Sequence, residues 1–247
     1  MGRSDPSARS LPGGATRPTI RAVILDLDDT LFDHTESARR GLALTVAELG
    51  GRATTTVLDS WESTAERLMR QRRHGVLDRE GYRHERVRTL LRELGFPQRA
   101  AESEPQQLDR IYERFLTLYE QEWVGFDDAI PLLAELQDRG LRVAILTNGP
   151  EERQQRKVQA LGLAPWVLGV WTSDSLGAKK PDERTYLEVC EALAVEPCSV
   201  LHVGDHREHD LDGARSAGLA SLHLDRSQRR PFAPDSITGL LDVLDRL

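Results

Sequence analysis

The chain has 247 residues, enough for one α/β domain and a smaller companion, and 39% of them are hydrophobic. A formal net charge of −7 gives nucleic-acid binding no global electrostatic support, and no apolar run approaches the roughly 18 residues of a membrane span. Two cysteines, Cys190 and Cys198, make no disulfide framework; both read as small buried hydrophobes in a reducing, cytoplasmic setting, and the start of the chain shows no apolar signal-peptide core.

Residues 1–19 are rich in Ser, Gly, Pro and Arg and are expected to form a disordered leader. Ala22, Val23, Ile24 and Leu25 then run straight into Asp26, Leu27, Asp28, Asp29 and Thr30. A short apolar run with β-branched residues reads as a buried parallel strand. Asp26 and Asp28 alternate at its end, so both side chains project the same way. Two carboxylates on one side repel unless a cation lies between them, and oxygen donors favour Mg²⁺. A solvated acidic turn would need only one of these acids.

A helix is expected from about Thr35 to Leu49, ended by Gly50 and Gly51. Residues 52–124 then change character. Apolar residues at helical spacing predict three consecutive amphipathic helices, Ser60 to Arg73, Asp78 to Leu94 and Gln106 to Glu122, with no strand. From residue 36 to residue 124 arginines balance acidic residues, so the excess negative charge lies elsewhere. An all-helical block inside a βα rhythm suggests a separate small domain or lid. Arg67, Arg70, Arg72 and Arg73 within it read as a solvated helix end.

The α/β rhythm resumes at Asp127. The spacing predicts helices over 129–139, 151–161, 181–193 (with Pro181 in the first turn), 211–217 and 237–247. Strands are expected over 141–146, 167–171, 199–203 and 219–224. Strands alternating with helices mean a Rossmann-like, doubly wound parallel sheet, whose site lies beyond the carboxyl ends of the strands. Three expected strands end in polar candidates there: Asp26 with Asp28, Thr147 with Asn148, and Asp205.

Thr147 and Asn148, ahead of Gly149, offer a hydroxyl, an amide and free backbone N–H groups suited to phosphate oxygens. The chain has three lysines among 33 basic residues, and Lys179 and Lys180 are adjacent. A compact ammonium can approach a phosphoryl oxygen and a carboxylate together; Lys180 is taken for that role and Lys179 for an exposed loop residue. Asp205 fits a metal ligand. Asp210 fits a residue that holds Lys180 or metal-bound water, with a helix N-terminal charge as the competing reading. His206 and His209 lack the rest of a zinc shell and read as loop residues; His202 and His223 fall on strands and read as core or interface.

Together these segments resemble, in order, the four signatures of the haloacid dehalogenase superfamily: Asp26–Thr30, Thr147, Lys180 with Pro181, and Gly204, Asp205 with Asp210. The resemblance implies a Rossmann-like core over 20–35 and 125–247, and a helical cap of the family's first type over 36–124. It also implies Mg²⁺ held by Asp26, the backbone carbonyl of Asp28, and Asp205. Asp26 would attack phosphorus, Asp28 would serve as acid then base, and Thr147 and Lys180 would neutralise phosphoryl oxygens. An acid at Asp28 favours a phosphatase over a dehalogenase. A phosphomutase, or a binding protein of the same fold without turnover, are the alternatives. The expected partner is a small phosphorylated metabolite, with sugar phosphates, nucleotides and flavin mononucleotide all open.

Overall fold

The computed structural model describes residues 19–227 and 233–247. The expected leader therefore lies outside the described residues, apart from Thr19. Strand β1 is Ala22–Leu25, and it is followed by five helices: α1 His34–Glu48, α2 Thr55–Arg73, α3 Arg79–Glu93, α4 Pro97–Glu102 and α5 Pro105–Gln121. The βα alternation then runs α6 Ala129–Asp138, β2 Arg142–Thr147, α7 Glu151–Ala160, β3 Val170–Thr172, α8 Ser173–Leu176, α9 Glu183–Ala192 and β4 Val200–Gly204. It ends with α10 Gly213–Ser216, β5 Ala220–Leu224 and β6 Ser236–Ile237. Among the described residues the strands form one parallel sheet, ordered β3-β2-β1-β4-β5-β6.

Strand β1 is central because it is apolar on both faces. Val23 and Leu25 join Val143, Ile145, Leu201 and Val203 on one side; Ala22 and Ile24 join Ala144, Leu146, Tyr186 and Val189 on the other. That is the period-two alternation of a strand covered by helices on both faces. The chain leaves β1 toward β2 and β3, then returns to build β4, β5 and β6 on the opposite flank. The order reverses at β1, so a crevice opens beyond its carboxyl end.

The helical insert packs on that end. In α5, Leu108, Tyr112, Phe115, Leu118 and Tyr119 recur every three or four residues and are buried. Helix α1 meets α5 at Gly41, where a Cβ would lie 2.5 Å from Tyr119 Cα. Phe32, just after β1, stacks edge-on with Tyr119 and Trp123, so one apolar cluster runs from the sheet into the insert.

Several expectations need correction. The insert carries four helices after α1 where three were expected, because Pro97 opens the short α4. Helix α2 starts at Thr55, capped by the Thr54 hydroxyl. Helix α9 begins after Pro181, with Asp182 as its cap. The segment 237–247 is not an α-helix: Ser236 and Ile237 extend the sheet, and Leu240–Arg246 follows as a 3₁₀ turn anchored by Asp242 on the N–H groups of Thr238 and Gly239. Where a single helix was expected over 211–217, a wide π-type turn, Arg207–Asp212, leads into α10. Cys190 is buried as expected, but Cys198 is exposed.

Candidate active site

Asp26 follows β1 directly, and its N–H donates to Val203 O at 2.9 Å, so β4 fixes its backbone. The chain then turns sharply. Asp29 adopts φ +58°, its N–H donates to Phe32 O, and its side chain accepts from Thr35 N at 3.0 Å. Asp is among the few side chains that tolerate this left-handed backbone. Thr147 ends β2, Asp205 follows β4, and Lys180 arrives on the loop between α8 and α9. The sequence separation is large, but the side chains meet.

Lys180 Nζ lies 2.7 Å from Asp26 Oδ1 and 2.5 Å from Asp210 Oδ1, with its side chain 2% exposed. Asp210 is further engaged by His202 Nε2 at 3.1 Å and by the His206 N–H at 2.9 Å. Gly204 makes this possible, because a Cβ there would collide with the Asp210 carboxyl. Asn148 donates to Lys180 O at 2.9 Å and accepts from Lys180 N at 2.8 Å. Both halves of its amide are thus committed to the main chain of Lys180. The sequence had offered that amide to phosphate; here it clamps the lysine.

Asp28 faces a second group that the sequence reading missed. Lys157 Nζ lies 2.5 Å from Asp28 Oδ1, and Gln154 Nε2 donates to Asp28 Oδ2 at 3.0 Å and to Thr147 Oγ1 at 2.7 Å. Because Thr147 accepts from Gln154, its own hydroxyl hydrogen remains available to donate. On the insert side, Tyr119 OH and His34 Nδ1 are 2.8 Å apart. Both residues on α7 could have been sensed: Gln154, Lys157 and Val158 form its buried stripe, and Lys157 is the third of three lysines in an arginine-rich chain.

The electrostatics divide the carboxylates. Burial pushes the Asp26 carboxyl up to about 7 against the pull of Lys180. Burial, then the charges of Asp26 and Asp210, push Asp205 up to about 8. Burial acts the same way on Asp210, but Lys180 and His202 overcome it and hold that carboxyl well below its usual range. Burial also opposes ionisation of Asp28, and there Lys157, His34 and Gln154 prevail and keep it below the ordinary value. Burial disfavours the Lys180 ammonium, yet Asp210 and Asp26 raise its pKa.

Carboxylate oxygens of Asp26, Asp205 and Asp210 lie within 4.8 Å of one another. With all three ionised against one ammonium, two negative charges stay uncompensated, which is the charge of one divalent cation. The all-oxygen donor set suits Mg²⁺. Asp210 already accepts from Lys180, His202 and the His206 N–H, which leaves Asp26 and Asp205 as the better ligands. A cavity of about 210 Å³ opens on these groups, lined by Asp26, Asp28, Thr147, Lys180 and Asp205, with His206 and His209 also on its wall. A larger cavity of about 360 Å³ between α1, α4 and α5 holds none of them.

Comparison with known proteins gives this arrangement its context. The family model of haloacid dehalogenase-like hydrolases matches residues 20–218. The chain is 27% identical over 219 residues to a glyceraldehyde 3-phosphate phosphatase of Methanopyrus kandleri, covering 87% of this chain and 88% of that one. It is 29% identical over 208 residues to a ribulose-1,5-bisphosphate 5-phosphatase of Halopiger xanaduensis, covering 84% and 85%. The crystal structure of the HAD-hydrolase YfnB from Bacillus subtilis, itself bound to magnesium, superposes with a TM-score of 0.75 at 24% identity, covering 93% of this chain and 99% of that one. With a family match over most of its length and phosphatases among its relatives, the chain belongs to the haloacid dehalogenase-like hydrolases as a phosphatase-type member.

Proposed function

We propose that the protein is a Mg²⁺-dependent phosphatase that removes the phosphoryl group from a small phosphomonoester through a phosphorylated Asp26. The observation that carries this reading is the placement of Lys180 between Asp26 and Asp210, with Asp205 alongside, at the crevice where the strand order reverses. Among the described residues Asp26 Oδ1 is held by Lys180 and its other oxygen has no hydrogen-bond partner, which leaves that oxygen to attack phosphorus. Thr147 and Lys180 stabilise the phosphoryl oxygens as charge develops on them. Asp28 relays to the leaving oxygen the proton that the phosphomonoester monoanion brings, and then takes a proton from the water that cleaves the aspartyl-phosphate. Mg²⁺, held by Asp26, the Asp28 carbonyl and Asp205, would supply positive charge to the phosphoryl group and lower the repulsion between it and the nucleophile.

The helical block over residues 36–124 serves as the cap; the bond of its Tyr119 to His34, just beyond the turn that carries Asp28, supports a position over the leaving-group side. The relatives' named substrates are small phosphorylated metabolites, and the cavity is of matching scale. Two unpaired cysteines and the absence, among the described residues, of a helix able to cross a membrane agree with a cytoplasmic site of action. A panel of sugar phosphates, nucleoside monophosphates and flavin mononucleotide tests the reading. Inorganic phosphate should appear with Mg²⁺ and stop on addition of EDTA. Isomerised sugar phosphate in place of free phosphate would point to a mutase, and binding without turnover to a non-catalytic protein.

A further inference from the structure

We propose that Lys157 and Gln154 are positioning residues that aim the Asp28 carboxylate at the leaving group, so that Lys157 governs departure of the alcohol while contributing nothing to phosphate binding. This rests on the phosphatase reading. Lys157 is 2% exposed and does not line the cavity, whereas the Asp28 side chain is 37% exposed and does. The ammonium therefore reaches substrate only through Asp28.

Burying an ammonium is costly unless it is paired, and among the described residues Asp28 is the one carboxylate within ion-pair distance of Lys157. The Lys157 ammonium also lies 4.6 Å from the centroid of the Phe32 ring, an attractive arrangement for a cation. Phe32 belongs to the turn that carries Asp28, so the lysine grips both ends of that turn. Gln154 fixes the other oxygen. Each Asp28 oxygen thus has its own donor, Lys157 on Oδ1 at 2.5 Å and Gln154 on Oδ2 at 3.0 Å, which sets the plane of the carboxylate. The same Gln154 amide bonds Thr147, so it also sets the spacing between the acid–base group and a phosphate donor. Gly149 is shaped to this: a Cβ there would lie 2.5 Å from Gln154 Cδ. A compact ammonium meets one carboxylate oxygen, whereas a larger planar guanidinium presents a fork of donors. Misplacing a catalytic group by about 1 Å can cost roughly a hundredfold in rate.

The full-length protein with Mg²⁺ is assayed on p-nitrophenyl phosphate, whose leaving group needs little protonation, and on glycerol 2-phosphate, whose alkoxide must be protonated. The quantity read is kcat/KM, which reports formation of the phosphorylated enzyme. In Lys157→Met, kcat/KM on the alkyl ester should fall about tenfold or more beyond any fall on the aryl ester. The aryl reaction should show a burst of p-nitrophenol, because water attack also needs Asp28. In Lys157→Ala, ethylamine should restore alkyl-ester turnover. If the Met and Ala variants do not fold, Lys157→Arg, which keeps the charge and changes the shape, is read by the same ratio. Equal losses on both esters, or none, overturn the proposal in favour of a lysine that only anchors α7. A wild-type protein inert toward both esters overturns the phosphatase reading, and the proposal with it; an active wild type with equal losses overturns the proposal alone.

Discussion

Lys180 holds the most concentrated charge in the site, an ammonium 2% exposed between two buried carboxylates. Removing one partner of such a buried cluster leaves the others uncompensated. Lys180→Met should therefore destabilise the fold by about 3–5 kcal/mol, read by chemical denaturation, as well as stop turnover. Thr147→Ala separates catalysis from folding. The change removes one hydroxyl whose oxygen accepts from buried Gln154, so stability should fall by only about 1–3 kcal/mol while kcat/KM falls about a hundredfold. Unchanged kinetics would remove Thr147 from the phosphate site. At this scale the sequence was informative where residues followed strands: Asp26, Asp28, Thr147 and Asp205 were all placed by the apolar run before them. Asn148 was located but its use was not, because only the folded chain shows its amide turned to Lys180. Lys157 and Gln154 escaped because Asp28, the partner both meet, lies 126 or more residues away; the scarcity of lysine marked Lys157 but not what it pairs with.

At the scale of elements, the contact of α1 with α5 determines how the helical insert sits on the sheet. Gly41 lets the two backbones approach, and Phe115 and Tyr119 continue the contact toward Phe32. Gly41→Val should overpack this crossing and destabilise the protein by about 1–3 kcal/mol, with turnover falling as Tyr119 and His34 shift from Asp28. A normal melting curve together with normal kcat/KM would contradict the importance given to that crossing. The bidentate pair of Arg156 with Glu120 also joins α7 to α5, but it is half-exposed and contributes little. Helices with a long apolar stripe, such as α5, were legible from periodicity. Helix α4 was not, since six residues give too few turns for a period to show. The end of the chain misled for a different reason: Ile237, Leu240 and Val243 are spaced as on a helix, but they are buried from a strand and a 3₁₀ turn.

For the whole molecule, the reversal of strand order at β1 brings the ends of β1, β2 and β4 together, and with them a surplus of negative charge. That surplus makes stability depend on pH. Asp26 and Asp205 have pKa values raised from 3.8 to about 7 and about 8. Their contribution is fully present below about pH 4 and is lost as pH rises through 7 to 8. Asp210, lowered, acts in the opposite sense and matters only in acid. Between about pH 5.5 and about pH 8.5 the metal-free protein should thus lose thermal stability, and added Mg²⁺ should raise the midpoint more at the alkaline end. A midpoint that rises over this range without metal would contradict the charge balance assigned to the site. The proposed catalysis turns on Asp26 carrying the phosphoryl group. Acid quenching during steady turnover, followed by mass spectrometry of the peptides, tests this most directly. The prediction is one added phosphoryl group on the peptide containing Asp26, absent in Asp26→Asn together with all turnover; phosphate release that continues in Asp26→Asn, or a phosphoryl group on another residue, would contradict it.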